Sequence, residues 1–443
     1  MSCATSVLHV PYTWFPDECG GTEIYVAGLI AALRSHRIDG AVAAPAKFAS
    51  RFDNNGIAAY RFAISAQPSL AHVYGAPDEV AAASFAKICH DLKPDIVHVH
   101  ARSAAVSESL AVAARSAGAK LFFTYHTPTV TCVRGTMMLM GRQPCDGVLQ
   151  PARCTTCVLQ SHGIPQWAGV ALRLTPSRLV DGISAAGWRG SLATGLQVSR
   201  FTAQAPMRFH SFISQFDRVV GVCQWADDVL AANGVPKSQR VLCRQGYTGP
   251  PATLRRMEPG ASRDPGAPLR MAWFGRLAPM KGLDIVVEAL QKIPNAPVRL
   301  DVFAIDQPGQ DAYASQIRNV ADGRIAFRNK LPADAVVTEM AGYDLMAVPS
   351  RCLETGPLVV YEAFAAGVPV LGTRLGGIAE LVSDGVDGVL VEGSDPANWA
   401  AAISALAQDS DRLAELRRGV RPPRNMDQVA AEMAHHYDRV LHA

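Results

Sequence analysis

A buried strand that leads through a loop into a helix and then into a second strand constrains the fold of this chain more than any other stretch. Leu345–Val348 is an unbroken apolar run, and Leu358–Ala366 follows as a helix that Gly367 ends. Val368–Leu371 is again apolar and predicts the next strand. Strands that alternate with helices in this way form parallel sheets. The intervening loop therefore lies at the carboxyl end of a strand, where open α/β sheets bind ligands.

Two carboxylates, those of Glu354 and Glu362, stand eight positions apart on either side of the start of this helix. Glu354 falls in the loop and Glu362 about one turn into the helix, so both are expected to face the ligand crevice. Pro357 has no N–H, which leaves the amides of Leu358 and Val359 to bind a phosphate at the helix amino terminus. Acids at such positions also stabilise the dipole of any helix, so the pattern needs a second site beside it.

A second candidate site lies upstream, where an apolar strand that includes Met271 runs into a loop and then into a helix over Leu283–Ile293. Arg276 and Lys281 stand on that loop. Two cations beside a helix amino terminus would neutralise a diphosphate and stabilise it as a leaving group. The alternative is a pair of solvated charges on a turn. A basic loop followed downstream by paired glutamates is more specific than either site alone.

The run 275–282, together with the pattern Glu-x7-Glu-Ala-x-Ala-Ala-Gly-x-Pro-Val that begins at Glu354, resembles the family-4 retaining glycosyltransferases. That family has the GT-B fold, an α/β architecture in which two Rossmann-like domains with doubly wound parallel sheets face each other across a catalytic cleft. The resemblance is densest over 271–391 and extends more loosely over most of the chain. It implies the same two-domain fold here.

The resemblance also implies a role for each candidate residue. Glu362 would bind the ribose hydroxyls, and Glu354 would accept hydrogen bonds from the transferring sugar and stabilise its developing positive charge. Arg276 and Lys281, with the helix amino terminus, would hold the diphosphate. A leaving phosphate oxygen would take the acceptor proton, so neither a protein nucleophile nor a catalytic metal or other cofactor is required. Pro357 departs from the family, because many members have glycine there and so keep one more phosphate-binding N–H.

The implied function is retaining transfer of a hexosyl group from a nucleoside-diphosphate sugar to a hydroxyl of a glycan, lipid-linked or small-molecule acceptor. Two other functions stay open. A GT-B epimerase or hydrolase acting on the nucleotide sugar would release its product without an acceptor. A non-catalytic subunit that binds a nucleotide sugar or a lipid would show no turnover, but the intact acids and cations argue against that loss.

Paired glycines near the amino terminus form a further candidate site. A strand over Ser6–Val10 leads to Gly20 and Gly21, which precede a helix. Such a pair lets the backbone approach a ligand closely, although glycine pairs more often simply make turns. In the family this loop lies under the donor sugar and phosphates, which assigns Gly20 and Gly21 to donor binding. The loop has no Gly-x-Gly-x-x-Gly fingerprint, which argues against a nicotinamide enzyme.

Two histidines stand at the tips of predicted strands, His100 after Ile96–Val99 and His126 after Leu121–Tyr125. A histidine at such a position is most often a structural side chain. The family has a histidine after the second of these strands that touches the donor sugar and assists transfer. We therefore assign His126 to catalysis and give His100 less weight.

Four cysteines, Cys132, Cys145, Cys154 and Cys157, fall within an insert over 128–165. Their spacing, C-x12-C-x8-C-x2-C, is compatible with a tetrahedral structural zinc site that staples a loop too polar to fold alone. Unrelated reduced thiols are a second interpretation, and a redox pair at the Cys-x-x-Cys end is a third.

A second insert, over 166–216, is helical and combines basic with aromatic residues. Such residues on amphipathic helices can lie on an anionic membrane, which would suit a lipid-linked acceptor. Arginines solvated over a core, or a lining of the acceptor pocket, are the alternatives. The residues concerned are Arg173, Arg178, Arg189, Arg200 and Arg208 with Trp167, Trp188, Phe201, Phe209 and Phe212.

The strand and helix patterns divide the chain into an amino-terminal acceptor-side domain over 1–250 and a nucleotide-sugar-binding domain over 269–425. A linker rich in proline, glycine and arginine, 251–268, separates them. A closing helix within 426–443 is expected to return to the first domain.

Length and composition set the remaining bounds. The 443 residues suffice for two domains with full cores. A formal charge of +3 is too small to argue for a nucleic-acid partner. No apolar run approaches the roughly eighteen residues of a membrane span, and no basic segment precedes an apolar one at the amino terminus. We therefore expect a cytoplasmic protein, with peripheral contact at the inner face of the membrane as the alternative that the second insert offers.

Overall fold

The computed structural model describes residues 4–17, 19–67, 69–165, 167, 191–249, 266–307 and 309–443. The chain divides into two compact units, one made of Met1–Arg244 with Val429–Ala443 and the other of Gln245–Gln428. Several of the expectations above lie outside the described residues: most of the linker 251–268, and within the second insert Arg173, Arg178, Trp188 and Arg189.

Parallel strands dominate the first unit. In chain order its strands are Thr5–Val10 (β1), Ile38–Ala46 (β2), Ser50–Asn54 (β3), Ile57–Ala63 (β4), Ile96–Val99 (β5), Lys120–Tyr125 (β6), Met138–Leu139 (β7), Gln143–Pro144 (β8), Arg218–Gly221 (β9) and Arg240–Leu242 (β10). Eight of them form one sheet in the order β10-β9-β6-β5-β1-β2-β4-β3, while β7 and β8 form a separate hairpin. Every pair in the large sheet is parallel except β3 with β4.

The helices of the first unit connect these strands. In the described ranges they are Gly21–Leu33, Leu70–Val73, Glu79–Leu92, Glu108–Ser116, Pro151–Ser161, Ser191–Ala203, Ala205–Ile213 and Gln224–Ala232. A last helix, Met426–Leu441, belongs to this unit from Val429 onward. The crossovers between parallel strands require such connecting segments, which explains why strands and helices alternate along the sequence.

The two faces of the central strands differ in chemistry, because successive side chains along a strand point to opposite sides. One face buries Leu8 and Phe123 in the apolar core. The other face carries His9 and His98, which are register partners on β1 and β5. Tyr437 of the last helix packs edge-on against His98. This face therefore holds buried histidines next to the strand ends that the sequence indicated as functional.

The second unit contains a six-stranded sheet in which every pair of neighbouring strands is parallel. Its strands are Leu269–Arg276 (β11), Val298–Ile305 (β12), Ile325–Phe327 (β13), Leu345–Val348 (β14), Val370–Thr373 (β15) and Gly388–Val391 (β16), in the order β13-β12-β11-β14-β15-β16. Its helices are Leu283–Lys292, Asp311–Val320, Val336–Met340, Leu358–Ala365, Gly376–Leu381, Pro396–Gln408 and Ser410–Gly419.

Both faces of this second sheet are buried. Leu345 and Ala347 of β14 pack into one apolar cluster, whereas Met346 and Val348 pack into another. A strand covered on both sides reads as an unbroken apolar run, which is the pattern that predicted it. The expectation of doubly wound parallel sheets in an α/β fold is confirmed.

In the parts of the chain that the structure describes, no helix is both long enough and apolar enough to cross a membrane. Within the second insert, Phe209 and Phe212 are fully buried, whereas Trp167 is 76% exposed. The Arg208 guanidinium donates a hydrogen bond of 2.6 Å to the Tyr74 carbonyl. These contacts favour the interpretation of that stretch as arginines over a core, and contact with a membrane stays a prediction.

Candidate functional site

Two loops of the second unit are held together: the basic loop 277–282, which follows Arg276 at the end of β11, and the acidic loop 349–357 after β14. The backbone N–H of Arg351 donates to the Met280 carbonyl at 2.8 Å. The Arg351 guanidinium pairs with Asp284 at 2.6 Å. Since β11 and β14 are neighbouring parallel strands, both loops leave the same edge of the sheet. The predicted cations and carboxylate are thereby held side by side.

Gly282 makes the close approach of the two loops possible. Its φ is +67°, and a Cβ atom there would lie 1.9 Å from the carbonyl oxygen of Pro349. No L-side chain fits that space, and the left-handed backbone also favours glycine. Gly282 therefore fixes the position of its neighbour Lys281.

Lys281 and Glu354 form the ion pair at the centre of this arrangement. The Lys281 ammonium lies 2.8 Å from Glu354 Oε2, and the two side chains are 25% and 14% exposed. The Ser350 hydroxyl donates a short hydrogen bond to Glu354 Oε1. Both carboxylate oxygens of Glu354 thus have a partner on one of the two loops.

The charges around Glu354 keep it ionised. Burial by itself would raise its pKa, but the charge and hydrogen bond of Lys281 act in the opposite direction, followed by the Ser350 hydrogen bond and the charge on Arg276. The net effect holds the pKa of Glu354 below its usual value. Lys281 and Arg276 therefore both act on the Glu354 carboxylate, an interaction that the sequence analysis did not predict.

A third segment holds the acidic loop from the other side. The Gly377 N–H donates to the Glu354 carbonyl at 2.6 Å, and a Cβ atom at Gly377 would lie 2.7 Å from that oxygen. Sequence reasoning missed both Gly377 and Ser350. The Gly376-Gly377 pair after β15 is the signal that could have found the first, because paired glycines mark close approaches of the backbone.

Glu362 occupies a different environment from Glu354. The helix Leu358–Ala365 begins directly after Pro357, so Leu358 and Val359 are its first residues and Glu362 lies one turn further on. Burial raises the pKa of Glu362 to about 7. The two carboxylates therefore differ in ionisation, because neighbouring cations lower the pKa of Glu354 whereas burial raises the pKa of Glu362.

In the first unit, Gly20 and Gly21 stand at the start of the helix Gly21–Leu33. The Gly20 N–H donates to Glu23 Oε2 at 2.8 Å, and the Thr13 N–H donates to Glu23 Oε1 at 3.4 Å. Glu23 is 3% exposed. This buried carboxylate holds the glycine loop, and sequence reasoning missed it, although a glutamate three residues after a helix cap is a known pattern.

His126 is the end of a chain of buried histidines. His9 Nδ1 lies 3.0 Å from His100 Nε2, and His100 Nδ1 lies 3.0 Å from His126 Nε2. Beside them, His98 contacts the Tyr437 hydroxyl at 2.5 Å and Thr124 Oγ1 at 2.7 Å. The strand tips thus bring His100 and His126 into direct contact, and His9 and His98 are members of the cluster that sequence reasoning missed.

All of these histidines are neutral. Burial lowers the pKa of His9 and of His126 to about 3. Burial, and then the neighbouring imidazoles, lower the pKa of His98 and His100 well below the usual value. A neutral imidazole has one N–H and one acceptor nitrogen, so the hydrogen bonds from His9 to His126 must all run in one direction.

The direction of these hydrogen bonds follows from His9, which lies at the opposite end of the histidine chain from His126. Among the described residues, His9 Nε2 is buried and has no hydrogen-bond partner. A buried N–H without an acceptor is rarer in proteins than an acceptor without a donor. The favoured arrangement therefore has the proton on His9 Nδ1, then on His100 Nδ1, and leaves His126 with its proton on Nδ1.

Two clusters have donor atoms that suit a metal. In the described part of the chain, His9, His98 and His100 are the residues whose ligand atoms lie within 4.8 Å of one another. Their nitrogens already bond to each other, to Thr124 and to Tyr437, which favours a structural hydrogen-bond network. The four cysteines of the first insert are the other candidate set, but their sulfurs are not gathered this closely in the described residues.

Two family models match the chain. The one described as Glycosyl transferase 4-like domain covers residues 20–246, and the one described as Glycosyl transferases group 1 covers residues 268–409. The first match alone covers half of the chain.

Relatives with a named activity match over a shorter span. A D-inositol 3-phosphate glycosyltransferase of Thermobispora bispora is 32% identical over 231 residues, which is 46% of this chain and 53% of the relative. Another, of Corynebacterium efficiens, is 35% identical over 161 residues, or 34% of this chain and 38% of the relative. The chain thus spans about half the length of these relatives or less.

Solved structures match over nearly the whole chain. Sucrose-phosphate synthase of Thermosynechococcus elongatus aligns with a TM-score of 0.64 at 16% identity and covers 99% of both chains. Anabaena HepE in complex with UDP and glucose aligns with a TM-score of 0.61 at 17% identity, over 98% of this chain and 99% of that one. At sequence identities this low, the structural matches establish the fold alone. Together with the two family matches, they show that the chain has the GT-B fold and belongs to the family-4 glycosyltransferases, the glycosyl transferases group 1.

Proposed function

We propose that this chain is a retaining glycosyltransferase that moves a hexosyl group from a nucleoside-diphosphate sugar to an acceptor hydroxyl on a glycan, a lipid-linked saccharide or a small molecule. The contact between Lys281 and Glu354 carries the proposal, because two loops far apart in sequence place a cation 2.8 Å from an ionised carboxylate. Arg276 adds a second cation that acts on the same carboxylate. Such a constellation suits a substrate that is anionic at one end and becomes cationic at the other during reaction.

The diphosphate would take the positive groups of this constellation. Arg276 and Lys281 would neutralise its charge, and the N–H groups of Leu358 and Val359 at the helix start would donate to its oxygens. Glu362, one turn along the same helix, would bind the ribose hydroxyls. With a pKa of about 7, its carboxyl group is partly ionised near neutral pH and accepts hydrogen bonds in that form.

Transfer itself would use Glu354 and the leaving group. The bond between the anomeric carbon and the diphosphate oxygen breaks, and the acceptor oxygen bonds to that carbon on the same face. The acceptor proton passes to the leaving phosphate oxygen, while the Glu354 carboxylate stabilises positive charge on the sugar ring. No step needs a metal or other cofactor, since Arg276 and Lys281 supply the positive charge.

In the first unit, the resemblance to the family assigns Gly20, Gly21 and His126 to the donor. Glu23 supports the first two by holding the glycine loop. His126 is a neutral imidazole whose Nε2 is held by His100 Nδ1 at 3.0 Å, which supports a role in positioning the donor sugar. In this role His126 would orient a sugar hydroxyl and would not act as a charged acid.

The donor is tested by thermal shift with UDP-, GDP-, ADP- and dTDP-sugars, because a ligand that binds only the folded chain raises its Tm. UDP-glucose comes first, since Anabaena HepE was solved with UDP and glucose. Lys281→Ala is expected to abolish the shift. Lys292→Ala removes an exposed lysine of the same unit and should keep it. No shift with any nucleotide sugar, from folded protein, would contradict the proposed donor site.

Turnover separates transfer from the two other functions. The named relatives make D-inositol 3-phosphate the first acceptor to try, followed by saccharides and lipid-linked acceptors. Transfer with the donor's anomeric configuration kept, seen by NMR of the product, is the expected result, and Glu354→Gln should lower kcat. Acceptor-independent release of free sugar or an epimer would favour an epimerase or hydrolase. Binding without any turnover would favour a non-catalytic subunit.

A further inference from the structure

The four cysteines of the first insert line a single cavity in the first unit, of about 30 Å³. Cys132 follows a short turn and Cys145 follows β8, whereas Cys154 and Cys157 stand on the helix Pro151–Ser161. The cavity has about the volume that one water molecule takes up in the liquid. Thiols from three separate pieces of chain therefore converge on a space that suits a single small ion.

The part of the insert that carries Cys132 and Cys145 has little regular secondary structure. Its hairpin pairs two residues of β7 with two of β8, and isolated hairpins are marginal in water. Met137 and Met140 have φ angles of 54° and 51°, which side chains other than glycine rarely adopt. Backbone of this kind persists when its surroundings fix it. A cross-link among the cysteines would supply that constraint.

Two of the groups beside the cavity donate hydrogen bonds to one of its sulfurs, that of Cys157. The Met140 N–H donates to Cys157 Sγ at 3.2 Å, and the Arg134 guanidinium donates to the same sulfur at 3.5 Å. Arg153 lines the same cavity. Four thiolates around a divalent ion carry a net charge of −2, part of which Arg134 would balance, whereas Arg153 is already paired with Asp146.

The other interpretations of these cysteines explain less of the structure. A redox pair at Cys154 and Cys157 gives no reason for Cys132 and Cys145 to line the same cavity. Every cysteine in the described residues is a free thiol, so disulfide bridges do not account for the arrangement. The sulfurs are not gathered within 4.8 Å of one another, but a change of χ1 moves a cysteine sulfur without moving its backbone.

We propose that Cys132, Cys145, Cys154 and Cys157 bind one zinc ion that staples the insert. Zinc suits the site because it prefers tetrahedral sulfur ligands and has no redox chemistry. Binding replaces four S–H bonds by four Zn–S bonds and releases the thiol protons to solvent. The ion is structural and takes no part in the proposed transfer, so the two proposals stand or fall separately.

Metal content tests this proposal directly. The full chain, purified without chelators, should contain about one zinc per molecule by mass spectrometry. Replacing both Cys154 and Cys157 by serine should reduce that to less than about one tenth. Cys89→Ala removes a buried thiol from another helix of the same unit and should leave the zinc content unchanged. Cobalt in place of zinc should give thiolate charge-transfer absorption in the wild type and the control.

If the double variant does not fold, the wild type alone decides the question. Its intact mass should fit four reduced cysteines plus zinc, and four thiols should become reactive when a chelator removes the metal. Folded wild type that stays metal-free after zinc is added would overturn the proposal, as would an intact mass that shows disulfides. Full zinc content in a folded double variant would also overturn it and would point to the histidine cluster.

Discussion

The raised pKa of Glu362 predicts that the stability of the Glu362→Gln variant relative to wild type, without ligand, is greater at pH 8 than at pH 5.5. Burial raises this pKa from 4.5 to about 7, so the folded chain keeps a proton that the unfolded chain has released. A pKa raised by folding gives stability that is fully present below pH 4.5 and is lost as the pH rises through about 7. Glutamine does not titrate, and the stability of the variant relative to wild type should therefore increase across this window.

The size of the effect follows from the shift. Between pH 5.5 and pH 7 the window is about 1.5 units, and at 1.36 kcal/mol per unit this is about 2 kcal/mol. The Glu362 side chain is half-buried, so solvent screening brings the expected value to about 1–2 kcal/mol. For a unit of this size, that corresponds to a change of about 2–8 °C in the Tm difference between variant and wild type.

Calorimetric melts of the ligand-free protein between pH 5.5 and pH 8.5 measure this difference. Glu288→Gln is the matched control, because Glu288 is exposed on another helix of the same unit. A Tm difference between Glu362→Gln and wild type that stays constant with pH would refute the reasoning. A variant less stable than wild type at pH 8 and equal to it at pH 5.5 would show the opposite, a carboxylate stabilised in its charged form.

Two further predictions concern the supports of the site. Gly282→Ala should lower the free energy of unfolding by about 2–4 kcal/mol, and with it the Tm, because its Cβ would lie 1.9 Å from the Pro349 carbonyl oxygen. Gly393→Ala is the control, because Gly393 has a similar φ but open space around the Cβ position. Equal Tm values for the two variants would contradict the steric account. His100→Leu should lower kcat about tenfold with little change in KM, because it removes the hydrogen bond that fixes the tautomer of His126. His100→Asn keeps a polar atom near the Nδ1 position and should lose less activity. Equal losses of kcat in the two variants, measured by steady-state kinetics, would show that His100 only fills space.

Much of the second unit could be predicted from local pattern. Leu345–Val348 was predicted with its observed bounds, and the helix after it begins at Leu358 as expected. Both loops were predicted as ligand-binding segments because they follow strands of a parallel sheet, whereas the direct pairing of Lys281 with Glu354 was not predicted. Unbroken apolar runs predict the strands, and the residues that end the helices predict the helix bounds. A parallel sheet then determines which strand ends lie together.

Other features escaped because their cause is not local. His98 bonds to Tyr437 although the two are far apart in the chain, and the sequence near either residue does not reveal the partner. Glu23 was missed as the support of the glycine loop. The antiparallel pair β3–β4 was missed as well, although Asn55-Gly56 between its strands is a hairpin signal. This hairpin interrupts the alternation of helices and strands from which the parallel sheet was predicted.

The pairing of Lys281 with Glu354 makes ligand binding an exchange of counter-ions. In the empty protein the ammonium group already has an anion 2.8 Å away, so an incoming ligand must compete with Glu354 for it. A neutral sugar offers no charge with which to compete and leaves the pair closed. A diphosphate does, and as it draws Lys281 away it leaves the Glu354 carboxylate without its nearest cation. The same event that admits the anion would therefore raise the negative potential where the sugar ring becomes positive, and so couples recognition of one end of the donor to activation of the other.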